Sequence, residues 1–369
     1  MKVFVHNMKC FNCDAVYLPV HSYPSCARCG GMLDFEYDLN AVRRFVRTPD
    51  FRSKPVSQWK YLPFYPIKNP ALLITLGEGN TPLIPSMKKK EVLFKFEGVN
   101  PTGSFKDRGS SIEITFAKEQ GVKRVVCAST GNMGASIAAY AERAKMRATI
   151  FVPTFAPERK LREIKSYGAN VRRVHGNYDD ALCASYDAVL KAGKVFLTGD
   201  YPLRCEGQKS VAFEIAEQLQ FRAPRNVVCP IGNGTLLYAL FKGFNELACA
   251  GLIGKIPKLF GVQAAGCNPV ENAWRNNTAW ITPLKRTRTH ASAINCGNPV
   301  YGLHALKAIR STNGKCIALT DSELKASQKA LAREGIHAEL SGSAARGGAL
   351  KLGLKGTTVV IVSGHGLKE

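Results

Sequence analysis

One lysine stands just past a tight turn in the stretch NPTGSFKDRG, Asn100 to Gly109. Asn100, Pro101, Gly103 and Ser104 bend the chain, and Lys106 follows at the mouth of an expected helix. A lysine placed at such a switch can serve as nucleophile or base when its amine is neutral. The plainer alternative is a solvated residue in a first helical turn. Two further loops join a strand to a helix with small polar residues. ASTGNMGAS, Ala128 to Ser136, offers Ser129, Thr130 and Asn132 beside two glycines. PIGNGTLLYAL, Pro230 to Leu240, offers Gly232, Asn233, Gly234 and Thr235 as a nest of amides that opens a helix. Helix N-termini favour anions, so one loop suits a carboxylate and the other a phosphate. Neither loop ends in Gly-Lys-Ser/Thr, and neither gives G-x-G-x-x-G with a ribose-binding acid, so ATP and NAD fit poorly. A ligand with one phosphate, one further anionic group and a partner for the lysine remains. Pyridoxal phosphate with an amino acid substrate satisfies that description.

A second cluster lies near the start. Cys10 and Cys13 form one C-x-x-C pair, and Cys26 and Cys29 form another, followed by Gly30 and Gly31. That spacing fits one tetrahedral sulfur site, and four thiolates leave no open position, so the zinc expected here is structural. Reduced thiols in a small lobe are the bland alternative. The other eight of the 12 cysteines are scattered singly, as suits a reducing, cytoplasmic compartment.

The elements that must position these residues can be read from periodicity. From about residue 76 onward, short apolar runs alternate with amphipathic segments. EVLFKFEG, VKRVVCAS, RATIFVP, NVVCPIG and TTVVIVSG read as strands. GSSIEITFAKEQG, GASIAAYAERAK, PERKLREIKSYG and QKSVAFEIAEQL read as helices. The alternation predicts an α/β chain with doubly wound parallel sheets. Residues 51–75 carry several prolines and read as an irregular connector. No apolar run is long enough to span a membrane. The 51 Lys+Arg against 28 Asp+Glu give a formal charge of +23, which suits an anionic substrate. No aromatic RNA-binding motif or repeated basic helix accompanies that charge, which argues against nucleic acid as the main partner.

The motifs LGEGNTPLI, NPTGSFKDRG, ASTGNMGASIAAYA, YPLRCEGQKSVAFEI, PIGNGT, INCGNPV and SGHGLKE resemble, in this order, those of threonine synthases. These belong to the tryptophan-synthase-beta class, fold type II of the pyridoxal phosphate enzymes. The resemblance covers roughly residues 76–369. It implies two doubly wound parallel-sheet domains with an N-terminal zinc-ribbon-like lobe. The expected division is a lobe over 1–50, a large cofactor domain over 51–110 and 200–369, and a small inserted domain over 111–199. Lys106 is implied as the Schiff-base lysine, with Asn132 at the ring hydroxyl, Gly232 to Thr235 at the phosphate and Ser363 at the pyridine nitrogen. Ser129, Thr130, Asn132 and Arg204 are implied as substrate ligands, Arg204 for a substrate phosphate. A homodimer in the cytoplasm is the expected assembly.

The implied reaction is a lyase step: O-phosphohomoserine and water give threonine and phosphate by γ-elimination and β-hydration. The alternative is a related enzyme working at the β-carbon of another amino acid, such as cysteate synthase with O-phosphoserine and sulfite. The departures all fall on the substrate side. Met133 stands where Thr is frequent, Thr198-Gly199 where an Asn-Ser pair is frequent, Leu236 where some relatives carry Asn, and AELSGSAA replaces VEPASAA.

Overall fold

The computed structural model describes residues 4–19, 25–129, 131–154, 156, 158–176, 178–191 and 194–369. Thr130 therefore lies outside the described residues. The chain divides into two compact units: the chain up to Glu78 with Lys106–Gln208, and Gly79–Phe105 with Lys209–Glu369.

The first unit opens with a small antiparallel sheet of Val5–Cys10, Val16–Tyr17 and Leu33–Tyr37, with Val5–Cys10 in the middle. Buried and half-buried residues alternate along Leu33–Tyr37, the mark of a strand with one face on a core. This lobe does not separate from the rest of the unit, because the Tyr37 hydroxyl donates to the buried carboxylate of Glu206. The connector over 51–78 belongs here too. Gln58 donates to the Arg108 carbonyl and to Ser111 Oγ, and Thr115 Oγ1 accepts from the Ile74 amide. Glu78 accepts from Trp59 Nε1 and the Tyr140 hydroxyl. Those polar contacts tie the segment to the lysine helix and to helix Asn132–Arg143 of the same unit.

The unit's parallel sheet runs Asn170–Val174, Arg147–Pro153, Arg124–Ala128, Phe196–Thr198. Ile137, Ile150, Val152, Leu161 and Ile164 fill its core. The lysine helix, Lys106–Glu119, is buried from Asp107 to Ala117. Small residues make that burial feasible. A Cβ on Gly207 would stand 2.0 Å from the Arg108 carbonyl oxygen, and one on Gly109 would stand 2.6 Å from Arg204 Cγ. So helix Pro202–Gln208, the arginine helix, crosses the lysine helix in backbone contact.

The second unit holds a six-stranded sheet in the order Cys316–Leu319, Lys258–Ala264, Asn226–Pro230, Thr358–Val362, Val92–Phe96, Leu83–Pro85. All pairs are parallel except Leu83–Pro85 with Val92–Phe96. TVVIV at Thr358–Val362 is buried at every position, as a central strand covered on both faces must be. No helix among the described residues is long and apolar enough to cross a membrane.

Candidate active site

The turn before Lys106 is built in the second unit. Gly103 donates to the Asn100 carbonyl at 2.7 Å and has φ +79°, a left-handed backbone that favours glycine. The segment is then stitched to the end of strand Thr358–Val362. The Phe105 amide donates to the Ser363 carbonyl at 3.1 Å, and the His365 amide to the Gly103 carbonyl at 2.9 Å. The lysine's preceding residue is thus bonded to Ser363, whose side chain is buried.

Strand Asn226–Pro230 lies beside that strand, with Val228 opposite Val360. The glycine loop and Ser363 therefore leave the sheet at the same carboxyl edge, where ligands of open α/β sheets bind. The loop closes into helix Thr235–Cys249, 15 residues long. Gly234 has φ +89° and makes no side-chain cap bond, and the N-terminus of this helix is the kind of terminus that favours an anion. A Cβ on Gly234 would stand 2.6 Å from the Tyr301 carbonyl oxygen, and one on Gly232 would stand 3.0 Å from that of Ala293. Asn233 is held by the INCGNPV stretch. Its carbonyl accepts from the Tyr301 amide, and its Oδ1 accepts from Cys296 Sγ at 3.1 Å and the Val300 amide at 3.2 Å.

In the first unit, Ser129 Oγ accepts from the amides of Gly134 at 2.8 Å and Gly131 at 3.2 Å. The hydroxyl expected to touch substrate thus shapes the loop ahead of helix Asn132–Arg143. Asn132 is the first residue of that helix and buried. Ser136, one turn on, donates to Asp107 and is hydrogen-bonded to the Ser110 hydroxyl, both on the lysine helix, which sets the two helices side by side.

Arg204 differs most from its expected role. It is fully buried, and its donors go to Glu113, to Ser110 Oγ at 3.2 Å, to the Gly199 carbonyl at 2.8 Å and to the Lys106 carbonyl at 3.1 Å. Glu113 also accepts from the Gly199 amide at 2.9 Å. Burial pushes the Glu113 carboxyl up to about 7, against the pull of the Arg204 guanidinium. Lys106 Nζ lies 3.5 Å from Asp200 Oδ1.

Sequence reasoning missed Glu113, Asp200 and Lys160. Glu113 carried a signal: it stands seven residues after Lys106, hence on the same helical face, among apolar positions. Lys160 carried another, since it shares the buried face of its helix with Leu161 and Ile164. Its Nζ lies 3.0 Å from where a Gly131 Cβ would be, against the loop that opens helix Asn132–Arg143.

The four N-terminal cysteines come together as their spacing requires. Their sulfurs all lie within 4.8 Å of one another, with Cys10–Cys29 at 3.5 Å and Cys13–Cys26 at 3.7 Å. Four sulfurs about 2.3 Å from one ion would be about 3.8 Å apart. The amides of Asn12 and Arg28 point at Cys10 and Cys26 sulfurs, and the Tyr17 hydroxyl lies 3.0 Å from Cys26.

Residues 74–364 match the family model for pyridoxal-phosphate dependent enzymes. The chain belongs to that family. It is 39% identical to the threonine synthase of Methanocaldococcus jannaschii, over 98% of this chain and 92% of that protein. It is 37% identical to the threonine synthase of Methanosarcina acetivorans, over 99% and 93% respectively. Among solved structures, maize serine racemase superposes with a TM-score of 0.67 at 23% identity, covering 78% of this chain and 88% of that one. Tomato threonine deaminase isoform 2 does so with a TM-score of 0.65 at 22%, covering 77% and 83%. At that identity the likeness concerns the fold, which is that of fold-type II enzymes. The residues present fit the family's cofactor. The loop at Gly232 and Gly234 is a cradle that a Cβ would fill, it opens helix Thr235–Cys249, and the Ser363 hydroxyl follows the adjacent strand.

Proposed function

We propose that this chain is a threonine synthase, a lyase that converts O-phosphohomoserine and water to threonine and phosphate. The observation that carries the reading is its identity to curated threonine synthases over nearly its whole length. The amides of Gly232 to Thr235 would hold the cofactor phosphate, Ser363 the pyridine nitrogen and Asn132 the ring hydroxyl. When bound, pyridoxal phosphate supplies an electron sink for the pair left at the substrate's α-carbon. Lys106 links the cofactor and, once displaced by the substrate amine, takes the α-proton on Nζ. A neutral Ser363 hydroxyl, rather than a carboxylate, suits elimination better than transamination. The substrate carboxylate would meet the loop of Ser129, Thr130 and Asn132. Arg204 supports this reaction by fixing the backbone of Lys106, because its donors are spent inside the unit.

The assay is incubation with O-phosphohomoserine while phosphate and threonine are both followed. Equal release of the two supports the reading. Phosphate released from O-phosphoserine with sulfite, and none from O-phosphohomoserine, replaces it with the β-carbon alternative.

We also propose that Cys10, Cys13, Cys26 and Cys29 hold one structural zinc ion. The sulfur geometry and the two amides aimed at sulfur support it. The scattered cysteines, none of them in a disulfide, support a reducing, cytoplasmic setting.

A further inference from the structure

A buried carboxylate faces the lysine, and the fold goes to some length to keep it there. Asp200 Oδ1 lies 3.5 Å from Lys106 Nζ, with the Asp200 side chain 3% exposed and that of Lys106 17%. Taking such a carboxylate out of water costs several kcal/mol unless a partner compensates. Its loop is clamped on both sides of the preceding peptide. The Gly199 amide donates to Glu113, and the Gly199 carbonyl accepts from Arg204 Nε. The same guanidinium reaches the Lys106 carbonyl through Nη1. One planar group therefore sets the backbone of the lysine and the peptide that carries the aspartate. The separation of amine and carboxylate is fixed by that brace, not by the flexible lysine stem alone.

We propose that Asp200 is a positioning residue of the reaction: it holds the Lys106 amine when the lysine is not bonded to the cofactor, and faces the charge of the proton that Nζ carries. This rests on Lys106 being the lysine that links the cofactor. The step balances simply. The substrate's α C–H bond breaks, a new N–H bond forms on Nζ, and the electron pair stays with the substrate and its cofactor. The amine becomes an ammonium while Asp200 remains a carboxylate, so the pair gains a charge-assisted hydrogen bond at the moment the proton moves. When Nζ gives the proton up, the carboxylate again orients a neutral amine. Arg204 and Glu113 act one step further away, as the brace for Asp200.

Asp200→Asn keeps the shape and removes the charge. In the holoenzyme kcat should fall roughly tenfold to a hundredfold, with KM for the amino acid changed less than about threefold. Cofactor content, read by absorbance and by borohydride fixation to Lys106, should stay within about twofold. In the cofactor-free protein, acetic anhydride should label Lys106 several-fold faster in the variant, because the amine has lost its ionic partner. Asp200→Glu should recover part of kcat. Unchanged kcat together with unchanged Lys106 labelling overturns the proposal. So does failure of both Asp200→Asn and Asp200→Glu to fold or to load cofactor, since the role is then structural. Borohydride fixation at a lysine other than Lys106 in the wild type is a different failure. It removes the reading of Lys106 on which this inference stands.

Discussion

His304 sits 4.9 Å from the ring of Tyr238 and 4.7 Å from that of Tyr301, centroid to centroid, and is buried. Burial lowers its pKa to about 3, helped by the charges of Lys307 and Lys242. The unfolded chain would bind a proton there near pH 6.5, while the native state stays neutral. Between those values the unfolded state holds more protons, so stability is fully present above about 6.5 and is lost as the pH falls toward 3. His304→Phe keeps an aromatic ring against Tyr238 and Tyr301 and removes the titration. Urea midpoints measured at pH 7.5 and 5 should therefore differ less in the variant than in the wild type. Equal differences in the two would refute the assignment. At this scale the position of Lys106 at the start of a helix was legible, because a tight turn before a helix is a local signal. It was not legible for Arg204. The residue type was read correctly, but Glu113, its partner, lies 91 positions away, and no local pattern tells whether a guanidinium faces substrate or a buried acid.

Elements with strong periodicity were read close to their bounds, as with NVVCPIG against Asn226–Pro230. Weakly periodic ones were missed. LSGSAARGGALK carries three glycines yet forms helix Leu340–Lys351, because its small residues pack against strands on the sheet face. Packing there overrides propensity. QKSVAFEIAEQL was read as one helix and forms one, Ser210–Gln218, whereas the short helix ahead of it, Pro202–Gln208, was missed. The glycine loop makes a prediction of its own. Gly234→Ala would force a methyl against the Tyr301 carbonyl and strain a left-handed φ by about 1–2 kcal/mol. Cofactor affinity should fall at least tenfold, with a smaller drop in the thermal midpoint. An alanine variant that binds pyridoxal phosphate normally would remove the loop from the phosphate site.

Across the whole chain, the two compact units divide after Glu78, Phe105 and Gln208. Composition could not place them, since the connector over 51–78 is irregular in sequence yet bonded to the lysine helix. The N-terminal lobe carries the proposed zinc site. One equivalent of zinc should purify with the chain and be lost in Cys26→Ser. A strong chelator should expose the lobe to protease while the cofactor absorbance persists. Retention of zinc by Cys26→Ser, or a metal-free wild type with an intact lobe, would count against the site.

The sheet of the second unit also dictates an order of assembly. Thr358–Val362 lies between Asn226–Pro230 and Val92–Phe96, yet follows both in the chain. On the ribosome, the strand that will sit beside Lys106's turn must wait for most of the polypeptide to be made before its parallel neighbour exists. Until then its open edge is an invitation to wrong partners. A nascent chain halted before residue 358 should therefore be held by chaperones, whereas release of the last strand should let the sheet, and with it the seat of the cofactor, close in a single late step.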